Sequence, residues 1–169
     1  TANCAQGAAA LKSAGPDLDP EDAFLGGLLH NLGLLLLVHL FPGDMDRVLK
    51  GLGRCEDNEL REAEAAELGL DHAEAGGILA HRWHLPDEVV SVISRYPHSG
   101  AGRESPLAGL VGFCRRQVDR MLLDEHGGPD QLPLRTPNWL HIPPAEWREV
   151  VRNLEARREE LRQQAENLS

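Results

Sequence analysis

What the chain has little of narrows it first. Lys and Arg number 17 against 27 Asp and Glu, a formal charge of −10 with a pI near 5.2. That balance argues against a surface for duplex DNA or an anionic membrane, since both demand clustered cations. Aromatic side chains make up only 4% of the chain; with Leu and Ala abundant, this favours helices over sheets. Cysteine is confined to Cys4, Cys55 and Cys114. Their wide spacing provides no CxxC pair and suits free thiols in a reducing cytoplasm better than a disulfide framework. The phosphate loops GxGxxG and GxxxxGK[ST] are absent, as is the GxSxG nucleophile elbow. The first residues have neither the basic start nor the apolar core of a signal peptide, so a soluble, cytoplasmic protein is expected.

One long apolar run is present. Phe24 to Phe41 spans 18 residues with His30, Asn31 and His39 inside it and no flanking Lys or Arg. A bilayer crossing needs about 20 mostly apolar residues. The expectation is a helix buried on nearly all sides, because Leu28, Leu29, Leu32, Leu35, Leu36 and Leu40 cover more than one face.

Helix punctuation is frequent elsewhere. Residues 2 to 14 read as an Ala-rich helix closed by Gly15-Pro16. Asp19-Pro20-Glu21-Asp22 supplies a cap, a first-position proline and acidic residues for the dipole, and Pro42 ends the apolar helix. A short helix is expected from about Asp44, then a charged one around 57 to 68 with an Ala face at 63, 65 and 66. Asp71-His72-Ala73-Glu74 reads as a capping box. Gly76-Gly77 would be costly in a free helix, about 1 kcal/mol each, so a closely packed neighbour is expected there. Leu85-Pro86-Asp87-Glu88 opens a further helix to Tyr96, and Leu107 to Met121 forms another. The bundle so outlined covers 1–126. Residues 127–143 hold too many breakers for regular structure. After Pro143-Pro144 a terminal helix runs to about Leu168. Its seam of Trp147, Val151, Leu154, Leu161, Ala165 and Leu168, interrupted at Arg158, can dimerise or pack back on the bundle.

His30-Asn31, flanked by Gly26-Gly27 and Gly33, carries the most information. His followed by Asp in such a setting would suggest metal-assisted phosphoester chemistry, with the carboxylate able to bridge two metals. Asn31 keeps that shape without the charge and is a poor ligand for a divalent cation. Ala23 to Gly33 resembles the central helix of the HD superfamily, in its HDOD (HD-related output domain) branch. Glu64 with Leu68-Gly69-Leu70-Asp71-His72-Ala73-Glu74-Ala75-Gly76 resembles its next signature, and so does Trp83-His84-Leu85-Pro86-Asp87-Glu88-Val89-Val90 running on to Ile93, Tyr96 and His98. The resemblance implies an all-α, HD-like helical bundle, here its carboxy-terminal part without the family's first helices, plus a long terminal helix.

It also implies a cleft built by His30, Asn31, His72 and His98, with Cys114-Arg115 standing where a late metal-binding Asp is expected. The fixed positive charge of Arg115, if it faces the cleft, opposes a dication. Glu64, Asp71 and Glu74 are expected as structural polar anchors. No catalytic residue, metal or cofactor is expected.

By analogy the function is a non-catalytic regulatory domain of a bacterial signalling protein, with receiver or cyclic-dinucleotide-synthesising domains as partners and residues 144–168 as connector or homodimer seam. The alternatives are a metal-dependent phosphohydrolase acting on cyclic di-GMP or another nucleotide, and a pseudoenzyme holding an anion or nucleotide in the vacated cleft.

Overall fold

The computed structural model describes residues 8, 18–52, 55, 57–96, 105–123, 140 and 142–166. Most of these residues are helical, with no strand among them, and the all-α expectation holds. We number the helices α1 (Pro20–Leu29), α2 (Leu32–Leu40), α3 (Pro42–Leu52), α4 (Asp57–Leu68), α5 (His72–Arg82), α6 (Asp87–Arg95), α7 (Pro106–Leu123) and α8 (Pro144–Glu166). The Ala-rich segment 2–14 lies outside the described residues apart from Ala8, which is buried in the main core. All but three positions of the 127–143 loop also lie outside them.

The expected single apolar helix is two helices. It breaks at His30-Asn31, where the His30 ring turns back to the Gly27 carbonyl and the Asn31 side chain is spent on a tertiary partner. Asn31 is the N-cap of α2 but makes no capping bond, because its amide oxygen accepts from Tyr96 3.0 Å away. Pro42 does not merely end α2: it begins α3, two residues before the expected start at Asp44.

Nor is this segment buried on nearly all sides. Its inward residues are mostly small, Ala23, Gly26, Gly27 and Gly33 with Leu37, while Phe24, Leu28, Leu35, Val38 and Leu40 face outward. A periodicity reading assigns the large apolar side chains to the core. Here close backbone approach decides instead. A Cβ on Gly33 would lie 1.8 Å from the carbonyl oxygen of His72, and one on Gly76 would lie 3.0 Å from the amide of Gly33. The α2 and α5 backbones therefore touch at a glycine pair, the close neighbour that Gly76-Gly77 required. Pro20–Leu40 has the length and hydropathy of a membrane span. About a third of its apolar window is buried against the rest of the bundle.

The α2–α5 contact anchors the fold. α5 packs next on α6, α6 on α1 and α7, α1 on α7, and α3 bridges α2 and α4. The main core joins Ala23, Val92 and Tyr96 to the inner face of α7 and to Trp147, Val150, Val151 and Leu154 of α8. Phe113 and Trp147 meet edge-on with ring centroids 5.3 Å apart. The first part of the terminal seam is thus spent on its own bundle, and Val150 belongs to it although the 4-3 spacing omits it. The side chains of Leu161, Ala165 and Leu168 lie outside the described residues. In α4 the expected Ala face is not the inward one: Ala65 and Ala66 are exposed, and Leu60 and Glu64 point in.

A histidine closes α5 where glycine would fit better. Leu85 N–H donates to Ala80 O at 3.1 Å and His84 N–H to His81 O at 3.0 Å, the paired bonds of a Schellman cap. His84 holds the left-handed position at φ 55°, where a side chain costs about 1–2 kcal/mol and Gly costs little. Since Gly loses more chain entropy on folding, His84→Gly should stabilise by a net ~0.5–1 kcal/mol and raise Tm by ~1–4 °C. A lowered Tm would mean that the exposed imidazole makes a stabilising interaction of its own.

Candidate functional site

Four helices meet at the polar centre. Asp71 caps α5 by accepting from the Glu74 amide at 2.9 Å, and Arg61 grips its other oxygen at 2.6 Å. Among the described residues the Glu74 carboxylate makes no return bond, so the motif is a cap with an arginine clamp rather than the reciprocal box. The Arg61 guanidinium and the Glu74 amide outweigh partial burial and hold the Asp71 carboxyl below its ordinary range.

The cap places His72 in the first turn of α5, wholly buried. Glu64, equally buried on α4, accepts there from the His72 backbone amide at 2.9 Å and from its Nδ1 at 2.6 Å. With Nδ1 donating to the carboxylate, His72 Nε2 is turned toward Tyr96. The Tyr96 hydroxyl lies 3.4 Å from that nitrogen and 3.0 Å from Asn31 Oδ1. Tyr96 sits at the end of α6, where a Cβ on Gly112 would come within 2.6 Å of its carbonyl; α7 thus backs it closely. The result is a buried chain, Glu64–His72–Tyr96–Asn31, linking α4, α5, α6 and the α1–α2 junction.

His30 lies beside this chain. Its Nδ1 is 2.7 Å from Gly27 O; a carbonyl only accepts, so Nδ1 carries the proton and Nε2 the lone pair. That Nε2 is buried without a partner among the described residues, as is Glu64 Oε1. The His30 ring meets Tyr96 edge-on at 4.8 Å. Burial, opposed by the Gly27 bond and assisted by the positive charge of Arg115, lowers the His30 pKa to about 4.

A lowered histidine pKa makes folding sensitive to acid. The unfolded chain takes up a proton near pH 6.5 and the folded chain only near 4, so this residue costs stability as pH falls through that window. The loss should reach ~3 kcal/mol at about pH 4. Urea melts of the wild type and His30→Asn at about pH 7.5 and pH 4.5 check it: the wild type should lose the larger share, and parallel losses would refute it. Asp71 acts lower, because its depressed pKa removes stability only below the ordinary carboxylate range.

Arg115 is felt at His30 through its charge but is not a free cation. It pairs with Asp57 at 3.4 Å and with Asp119 one turn along α7. His98 lies outside the described residues. The structure therefore brings together His30, Asn31, His72 and Glu64, with Arg115 at the margin. The sequence put Tyr96 at the end of a helix and inside a family block but not in the polar chain, and Asp57 and Arg61 carried no signal there. A lone Tyr closing an apolar helix was the available signal, since a buried hydroxyl needs a partner.

An HD-type metal can be tested against these residues. No three His, Cys, Asp or Glu side chains converge among the described residues. Asn31 is neutral, its oxygen already accepts from Tyr96, and the Tyr96 hydroxyl stands between Asn31 and His72 Nε2. The described residues do not fit a divalent cation.

Comparison with known proteins agrees with the fold. An uncharacterized protein of Treponema pallidum (strain Nichols) is 28% identical over 128 residues, 72% of this chain and 24% of that protein. A crystal structure named "Putative phosphohydrolase" from Shewanella amazonensis SB2B superposes with a TM-score of 0.73, covering 90% of this chain and 57% of that one at 22% identity. At that identity the likeness is one of fold. The chain spans about a quarter of the Treponema protein and little more than half of the Shewanella chain. The family model described as "HDOD domain" matches residues 1–99, a stretch that takes in α1 to α6 and hence the whole of the Glu64–His72–Tyr96–Asn31 chain. The protein is a member of the HDOD domain family.

Proposed function

We propose that this chain is a non-catalytic regulatory domain of a bacterial, cytoplasmic signalling protein, derived from an HD phosphohydrolase framework. One observation carries the reading: the Tyr96 hydroxyl, bonded to Asn31 and facing His72, stands where hydrolytic chemistry would require an open, charged ligand set. A cleft filled by its own side chains has become a strut between helices. A domain of this kind relays through its helices, and α8, anchored by Trp147 and Val151, is the route toward receiver or cyclic-dinucleotide-synthesising partners. The loss of catalysis rests on this site, and the relay role on fold analogy.

The test restores the lost charge. Asn31→Asp should create no metal-dependent turnover of bis-p-nitrophenyl phosphate with added manganese or iron, and elemental analysis of wild type and variant should find no stoichiometric transition metal. Manganese- or iron-dependent turnover by that single variant, or one metal per chain in the wild type, would return the protein to the phosphohydrolases.

A further inference from the structure

Docking of α8 leaves two polar atoms unsatisfied at its root. Trp147 is buried in the main core, and its indole Nε1–H has no acceptor among the described residues. Gln117 is buried on α7, and its Oε1 likewise has no donor. The two belong to one contact. Phe113 meets the Trp147 ring edge-on, and Gln117 follows Phe113 by one turn on the same face of α7. Both atoms are closed off from solvent, so nothing bound at the surface reaches them while α8 is docked.

A buried donor or acceptor without a partner opposes the docked state, and separating the helices returns both atoms to water. What holds α8 is the apolar contact of Trp147, Val150, Val151 and Leu154. The helix pairs that approach backbone to backbone along their length, α2 and α5 foremost, do not include α8. Its attachment is made by side chains and carries a polar penalty, whereas α2 and α5 meet at touching backbones. The weaker attachment opens first. We infer that α8 is a detachable arm: residues 147–154 leave α7 together, ahead of any loosening of α1 to α6, and the buried Gln117 and Trp147 set how often. The purpose of such an arm rests on the relay role proposed for α8, because a relay needs an element with two positions.

Native-state hydrogen exchange on the 169-residue protein in rising, sub-denaturing urea, read by NMR, tests it. The amides of 147–154 and the Trp147 indole N–H should exchange as one group, with one opening equilibrium and one urea slope. The amides of α2 and α5 should be protected at least about tenfold more strongly. Gln117→Met removes the unpaired acceptor and keeps an unbranched side chain, so it should slow exchange of the 147–154 group by roughly tenfold. If circular dichroism shows that variant unfolded, Gln117→Leu serves in its place. Protection that rises gradually from residue 166 toward Trp147 would be end fraying and overturns the arm. So does a 147–154 group that exchanges only with global unfolding, alongside α2 and α5. Unchanged exchange in the Gln117 variant overturns it because the carbonyl would then not oppose docking. Faster exchange overturns it as well, because a water bridging Gln117 to Trp147 would then be fastening α8. These readings are independent of phosphoester turnover, so the arm can fail with the non-catalytic reading intact, and the manganese or iron assay can fail with the arm intact.

Discussion

Gly33→Ala should be among the most damaging single changes in the molecule, with a loss of at least about 3 kcal/mol. The added methyl would sit 1.8 Å from the His72 carbonyl oxygen and 2.7 Å from the Gly76 amide nitrogen. Both are backbone atoms, so no rotamer change can make room, and α2 and α5 must separate. His72 cannot yield easily, because Glu64 and the Asp71 cap hold that turn from the other side. Overpacking normally costs ~1–3 kcal/mol where side chains can adjust; where only backbone can move, the cost lies at or beyond that range. Against a typical total stability of ~5–15 kcal/mol, partial unfolding at ambient temperature is expected. Gly51→Ala is the control. It lies in α3, where an added methyl would meet nothing within 4 Å, so it should gain up to about 1 kcal/mol from helix propensity. Urea melts of the two variants should diverge in opposite directions, and equal midpoints would mean that the helices do not meet at Gly33.

The same contact shows how far the sequence could be read. Asp19, Pro20, Asp71 and Pro86 mark helix starts through local chemistry that tertiary structure seldom overrides, and those boundaries hold. The all-α bundle followed from them and from the family blocks. Orientation of the apolar run did not follow. Leucines around a helix say that it is apolar, but not which side faces the core, and here Gly26, Gly27 and Gly33 face inward because they permit close approach. His30, Asn31, His72 and Glu64 were legible as a set because each sits in a family block. That Tyr96 bonds to Asn31 was not, since those residues are 65 apart in the chain and no local pattern records a long-range hydrogen bond. Nor was the clamp on Asp71 legible: Arg61, ten residues upstream, serves its carboxylate, and the capping-box spacing records only the bond from the Glu74 amide.

Removing the Glu64 carboxylate should cost nearly as much as Gly33→Ala, for a different reason. In Glu64→Ala, the His72 backbone amide and Nδ1–H, both wholly buried, lose their shared acceptor. A buried donor left unpaired costs ~1–3 kcal/mol, and two are orphaned here. The expected loss is therefore ~2–5 kcal/mol. Glu64→Gln keeps one acceptor oxygen and should lose about half as much. Removing both partners separates this interaction from simple loss of volume. Once His72 is alanine no imidazole remains to be orphaned, so Glu64→Ala/His72→Ala should cost less than the sum of the two singles by ~2 kcal/mol, a coupling within the range for residues in one network. Additive losses would show that Glu64 acts as filler. A positive coupling would make this carboxylate the anchor of His72, and through the Tyr96 hydroxyl a support of the α1–α2 junction. Tyr96→Phe should then lose only about 1 kcal/mol, the ordinary worth of one hydrogen bond, because Glu64 would still hold α4 against α5. If Tyr96→Phe costs as much as Glu64→Ala, the strut is held from the tyrosine end and the order of dependence along the chain is reversed.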